Sequence, residues 1–157
     1  MKITSLLFSL FFSTCIFAQV GINTDDPQST LDINGNLSVK VVNLTGNNSG
    51  DQTNTGSTVT IDDGVYISLF PQTANDTFEL PNAVDVPGRV YFLRNVINST
   101  TAKIVSDGAS QFFPSYTTLA GTSEIYLYEN TTSSDKRKSA IVISDGQNWT
   151  VFYGNVF

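Results

Sequence analysis

Short runs of strand-forming residues, each closed by turn residues, make up most of residues 58–157. Four of these runs, rich in β-branched and aromatic side chains, are residues 65–70, 89–96, 124–129 and 149–153. After residue 18, no segment sustains apolar residues at the spacing of an amphipathic helix. The pattern predicts an all-β domain, an antiparallel β sandwich or roll, over residues 58–157.

An Ile/Val-x-Asp-Gly motif occurs three times and ends at Gly64, Gly108 and Gly146. Asp-Gly between two strand-like runs accepts positive φ, which tight hairpins require. The aspartates could instead be calcium ligands, but the alternating ligand series of a calcium loop is missing. We therefore expect three hairpins and no metal site.

The N-terminus has the pattern of a cleavable secretory signal peptide over residues 1–18. Lys2 precedes a long uncharged, largely apolar run. The chain then becomes polar too soon for a transmembrane anchor, which needs about 20 apolar residues. We predict cleavage between Ala18 and Gln19 and a protein that is secreted or at the cell surface. Lipidation at Cys15 is the alternative, although the residues before it do not fit the usual lipid-attachment pattern.

Two further segments precede the β domain. Residues 19–44 alternate apolar and polar side chains on both sides of the turn Asn34-Gly35, which predicts a small N-terminal hairpin that serves oligomerisation. Residues 45–57 carry no apolar side chain and have the composition of a flexible polar linker. The domain boundary is expected at this linker.

Composition excludes several kinds of chemistry. The full chain has 8 Lys+Arg, 14 Asp+Glu, no His, one Cys and one Met. Because Met1, Lys2 and Cys15 leave with the signal peptide, the mature chain is more acidic and has no thiol or imidazole. Disulfides, thiol nucleophiles, His bases and His-ligated zinc are excluded. Nucleic acid is not an expected partner, since phosphate binding needs clustered cations.

Three groups of residues are candidates for a functional role. The cationic cluster Lys136-Arg137-Lys138 is expected in a solvated loop, and a contact with anionic lipid or polysaccharide is the alternative. An acid/base pair of the glycosidase type could be drawn from Asp62, Asp63, Asp107, Glu124, Glu129 and Asp145. Nothing in the sequence brings two of these to the separation of about 5 to 10 Å that such catalysis needs. We expect no catalytic residue and no cofactor.

The third group is aromatic. On the strand predicted at residues 124–129, Ile125 and Leu127 share one face, while Tyr126 and Tyr128 share the other. Tyr126 and Tyr128 are a candidate ligand face, although tyrosine pairs also serve simply as strand formers. Trp149, which follows the last Asp-Gly turn, is expected in the core.

Two stretches resemble bacterial exported and phage tail-fibre-like proteins. Residues 20–24 (VGINT), Pro27 and residues 30–36 (TLDINGN) resemble a short GI-x-T-x-x-P-x-x-x-LDV-x-G segment that opens many of them. Their receptor-proximal β modules show, in order, motifs similar to four segments here: residues 78–81 (FELP), 88–95 (GRVYFLRN), 105–108 (VSDG) and 143–149 (ISDGQNW). The resemblance implies a surface-exposed β module that assembles as a homotrimer.

The leading expectation is therefore an exported, non-catalytic structural or adhesion module, trimeric through residues 20–42, with a surface glycan or cell-envelope partner. Its rival is a monomeric, lectin-like carbohydrate-binding domain. A small carbohydrate-active enzyme is the third hypothesis.

Overall fold

A computed structural model of the chain describes residues 20–25, 29–46, 58–74, 76–115, 120–129 and 137–155. The signal peptide predicted for residues 1–18, and its cleavage after Ala18, lie outside the described residues. Within the described ranges, no helix has the length and apolar character needed to span a membrane. The chain divides into two compact units, Met1–Ser38 and Val39–Phe157.

The first unit contains a two-stranded parallel sheet. Strand β1 (Val20–Ile22) pairs in parallel with β2 (Leu31–Ile33). Asn23, which has a left-handed φ of 58°, donates a side-chain hydrogen bond of 3.1 Å to Asn34 O. The hairpin predicted around Asn34-Gly35 is wrong for the described residues: the chain bends at Asn34 and Gly35, but β2 pairs in parallel with the preceding β1, and residues 36–40 form no strand.

The described residues of the second unit form ten strands. These are β3 (Val41–Thr45), β4 (Thr58–Thr60), β5 (Tyr66–Phe70), β6 (Thr77–Leu80), β7 (Val90–Asn95), β8 (Ala102–Ser106), β9 (Phe112–Pro114), β10 (Glu124–Leu127), β11 (Arg137–Ser144) and β12 (Trp149–Asn155). One sheet has the order β3-β5-β7-β11-β12-β9, and the other β10-β8-β6-β4. The predicted all-β sandwich is confirmed. Strand β3 belongs to this sandwich, so the second unit begins at Val39, whereas the sequence placed the start of the domain at residue 58, after the predicted linker.

Consecutive strands from β3 to β8 alternate between the two sheets. Strands β3, β5 and β7 are parallel neighbours in the six-stranded sheet, and β4, β6 and β8 are parallel neighbours in the four-stranded sheet. Parallel neighbours need a crossover connection, and each crossover here contains the intervening strand of the opposite sheet. Antiparallel pairs follow, β8 with β10 and β11 with both β7 and β12. Pairing is therefore mixed, whereas the sequence predicted antiparallel strands.

The glycine of each Asp-Gly motif has the predicted positive φ, but the strands on either side of the turn do not always pair with each other. φ is 82° at Gly64, 72° at Gly108 and 92° at Gly146. Only Gly146 lies in a hairpin, between β11 and β12. Gly64 and Gly108 instead turn the chain from one sheet to the other, so two of the three predicted hairpins are wrong. A left-handed glycine redirects the chain, but it does not decide whether the next strand pairs with the last.

Side chains from both sheets fill the space between them. The largest fully buried ones are Trp149, Tyr91, Phe78, Phe112, Ile61, Ile67, Leu69, Leu80, Leu93, Ile104, Leu127 and Val142. The core position predicted for Trp149 is confirmed, and its ring centroid lies 5.9 Å from that of Tyr91. Along β7, Leu93 is buried in the same way, whereas the alternate residues Phe92 and Arg94 remain exposed.

Candidate functional site

Cross-strand register gathers apolar side chains from five strands on the outer face of the six-stranded sheet. Tyr66 is opposite Phe92, Phe92 is opposite Ile141, and Ile141 is opposite Phe152. Val41, opposite Tyr66, extends the series onto β3. Side chains at paired positions lie on the same face of a sheet. We call these five residues the outer row.

The outer row is unusually accessible for its composition. Val41 is 60% exposed, Phe92 39% and Phe152 43%. The other sheet differs, because its partly or fully accessible strand residues are mostly polar: Thr58, Val59, Thr60, Thr77, Glu79, Lys103, Val105, Ser106, Glu124 and Tyr126. A contiguous apolar patch on one sheet only is typical of a binding surface.

A groove runs beside the outer row, where three of four neighbouring positions are small. In this neighbouring row Ser68 is opposite Arg94, Arg94 is opposite Ser139, and Ser139 is opposite Gly154. A Cβ atom at Gly154 would lie 2.4 Å from Ser139 Oγ, so glycine, which has no side chain, leaves space on this part of the sheet face. The groove has a volume of about 660 Å³, and its lining includes Tyr66, Phe92, Arg94, Lys138, Ile141 and Phe152. We call it the outer groove. Small-ligand sites span about 300–1,000 Å³.

Two cations lie at the outer groove. Lys138 Nζ donates to Ile97 O at 3.0 Å and also to the side chain of Asn98. Burial lowers the pKa of Lys138, and repulsion from Arg94 lowers it further, while attraction to Glu129 offsets these effects in part. Arg94 is exposed and takes no part in the salt bridges among the described residues, which join Lys40 to Asp63 and Lys103 to Glu124.

The predicted tyrosine face lies elsewhere: Tyr126 is on β10, at the edge of the four-stranded sheet, and Tyr128 directly follows that strand. The division of this strand into two faces is confirmed, since Ile125 and Leu127 are buried and Tyr126 is exposed. The rings of Tyr126 and Tyr128 are 6.3 Å apart and nearly parallel, at 26°. Arg137 lies over Tyr128 at 5.6 Å, so one ring face of that tyrosine is already occupied. A ligand role for Tyr126 and Tyr128 stays a prediction.

The cationic cluster is part of a strand, not of a solvated loop, as far as its residues are described. Arg137 opens β11, and its guanidinium lies 4.4 Å from the ring centroid of Tyr153. Lys138 follows on the same strand with the hydrogen bonds given above. Lys136 lies outside the described residues. The sequence missed the strand because small polar residues surround this cluster.

The candidate acidic residues have separate partners. Hydrogen bonds from Lys40 to Asp63, from Tyr126 to Glu124 and from Thr101 to Glu129 are the main reasons why the pKa of each of these carboxyls lies below its usual range. Asp145 Oδ1 accepts backbone hydrogen bonds of 2.8 Å from Gln147 N and 2.7 Å from Asn148 N, which close the hairpin turn. Asp62 and Asp107 are exposed. A general acid needs a raised pKa, and three of these groups shift the other way.

No part of the chain that the structure describes groups three or more His, Cys, Asp or Glu residues in a way that could hold a metal ion. The outer groove instead offers aromatic rings, two cations and the Asn98 amide, which suit non-covalent binding. The one signal in the sequence for this site was the alternation in residues 91–94, where Phe92 and Arg94 occupy the face opposite the core.

Comparisons with known protein families, curated proteins and solved structures find no match to this chain.

Proposed function

We propose that this chain is an exported, non-catalytic adhesion module that binds a cell-surface target in the outer groove. The observation that carries the proposal is the outer row, an accessible apolar series across five neighbouring strands with two cations beside it. Binding sites on rigid elements are held more precisely than sites on loops. The resemblance to tail-fibre-like modules supports the same function and implies export.

A non-catalytic role agrees with the side chains available. Carboxylates are the abundant reactive groups, and the lowered pKa values of Asp63, Glu124 and Glu129 keep these groups ionised near neutral pH. The mature chain has no thiol or imidazole to act as a nucleophile or base. The groups at the outer groove can position a ligand, but they offer no acid/base pair.

Binding should depend on the exposed aromatic rings. The double variant Phe92→Ser, Phe152→Ser is expected to weaken binding by about tenfold or more, because aromatic anchors dominate binding energy. A surface-glycan array first identifies the glycans that bind the wild-type protein. The affinity of each purified variant for these glycans is then measured by titration. Tyr126→Ser is the matched control, since it removes an accessible ring from the other sheet. Loss of binding in Tyr126→Ser alone would move the site to the tyrosine face, and an array without any positives would contradict the proposal.

Assembly as a homotrimer is the second part of the proposal, and the first unit supports it. Val20, Ile22 and Leu31 are 52%, 50% and 55% exposed. An isolated two-stranded sheet is marginal in water, so these apolar side chains need a cover. Neighbouring chains around a closed rotation axis would supply that cover without leaving an open end.

Light scattering tests the assembly. The chain that begins at Gln19 is expected to have about three times the monomer mass, and the double variant Ile22→Asp, Leu31→Asp is expected to lower that mass, since buried unpaired carboxylates oppose the contact. The double variant Asn36→Asp, Ser38→Asp adds the same two charges at exposed polar positions of the same unit and should leave the mass unchanged. A wild-type chain that stays monomeric at high concentration would favour the lectin-like alternative.

A further inference from the structure

Charge is divided unevenly between the two sheets. The strands of the six-stranded sheet contain no Asp or Glu, although the whole chain has 14 of them. The same strands contain three cations, Arg94, Arg137 and Lys138. The four-stranded sheet carries Glu79, Lys103 and Glu124. An acidic protein thus has one sheet whose ionised side chains are all positive.

Two of these three cations lie at the outer groove: Arg94 takes no part in the salt bridges among the described residues, and Glu129 attracts Lys138. Arg137 lies over the rings of Tyr128 and Tyr153, whereas Arg94 and Lys138 lie at the groove and repel each other. The backbone and amide oxygens that Lys138 contacts carry no net charge. A carboxylate placed between the two cations would relieve their repulsion and accept the planar guanidinium of Arg94 in a bidentate pair.

We infer that the ligand of the outer groove is an acidic saccharide, whose carboxylate pairs with Arg94 and Lys138 while its rings lie against Phe92 and Phe152. The inference rests on the proposed binding function and names the chemical class of its target. The aromatic side chains present partly exposed apolar rings beside the small residues Ser139 and Gly154, so the apolar C–H face of a sugar ring can lie against them.

Other occupants fit less well. A second copy of the chain that packs through the same face would bring Arg94 against strands that have no carboxylate, so the charges would stay unpaired. An acidic peptide binds a sheet most readily by adding a strand to its edge, and the outer groove crosses the middle strands β5, β7, β11 and β12. Nucleic acid needs more clustered cations than two.

The test is a calorimetric titration of the purified protein with oligomers of galacturonate, glucuronate and mannuronate, each beside the same oligomer with its carboxyl groups methyl-esterified. At least one acidic oligomer is expected to bind about tenfold or more tightly than its own ester. Arg94→Gln should abolish most of that difference, because it weakens the binding of the acidic oligomer toward that of its ester. Arg89→Gln removes the same charge from an exposed position outside the outer groove, and it should keep the difference.

Three results would overturn the inference. The first is equal affinity for acid and ester, and the second is an equal effect of Arg89→Gln and Arg94→Gln, which would indicate only a general response to net charge. The third is an affinity for oligoglutamate equal to that for the acidic oligosaccharide, which would indicate that the outer groove recognises a carboxylate without a sugar. If esters bind and the binding depends on Phe92 and Phe152, the proposed function stands without this inference. If no oligomer binds and the glycan array is also empty, both fail.

Discussion

Replacing Trp149 by alanine is expected to lower the free energy of unfolding by about 3–5 kcal/mol, the usual cost of removing a large aromatic side chain from a core. Trp149 is fully buried against Tyr91. Its indole Nε1 also donates a 3.0 Å hydrogen bond to Ser106 Oγ, which joins β12 of one sheet to β8 of the other. The loss therefore combines a cavity with a broken contact between the sheets. Chemical denaturation followed by circular dichroism measures it.

Phe152 on the same strand provides the matched control. It is aromatic and lies three residues further along, but its side chain belongs to the exposed outer row. Phe152→Ala should cost about 1 kcal/mol or less, because little apolar area returns to water. Similar losses for the two variants would mean that β12 does not present opposite faces to the core and to solvent.

Asn95 should be nearly as sensitive as Trp149, because it joins the two sheets through hydrogen bonds alone. This fully buried side chain donates to Leu127 O at 2.9 Å and to Thr100 O at 2.8 Å, and its Oδ1 accepts from Ile97 N at 2.9 Å. Asn95→Leu keeps a similar volume and removes all these bonds. A cost of about 2–4 kcal/mol is expected, since each buried polar group left without a partner costs about 1–3 kcal/mol.

The isosteric variant Asn95→Asp tests the same network through its pH dependence. An ionised carboxylate there would face the carbonyl oxygens of Leu127 and Thr100, so its pKa in the folded state should be raised above the unfolded value of about 3.9. Between the two pKa values the folded state binds more protons, and stability therefore falls as pH rises. The variant should be closest to wild type at low pH. Asn43→Asp, at an exposed position on β3, should show no such trend, and parallel pH profiles for the two variants would contradict the assigned hydrogen bonds.

Strand positions and faces were predictable because they depend on local sequence. Alternation along residues 124–129 correctly separated Ile125 and Leu127 from Tyr126, and Trp149 was correctly placed in the core. The left-handed backbone at Gly146 followed from its Asp-Gly dipeptide, because only glycine adopts that conformation without strain. These inferences need no knowledge of the partner strand.

Strand partners were not predictable, since the same alternation suits parallel and antiparallel neighbours. Asp-Gly at Gly64 and Gly146 is the same dipeptide, yet one turn crosses to the opposite sheet and the other closes a hairpin. The parallel pairing of β3, β5 and β7 joins strands that are separated by whole crossovers. Such pairing depends on the packing of the complete sandwich, which a local pattern does not contain.

The candidate site likewise combines features that follow from local sequence with features that depend on strand pairing. By itself, the sequence placed Phe92 and Phe152 on predicted strands, and it showed that the chain has no His and one Cys. Only the tertiary structure decided that Val41, Tyr66, Phe92, Ile141 and Phe152 form one exposed row with Arg94 and Lys138 beside it. The physical reason is that the register between strands distant in sequence aligns their outward side chains, whereas the alternation within each strand specifies only two opposite faces.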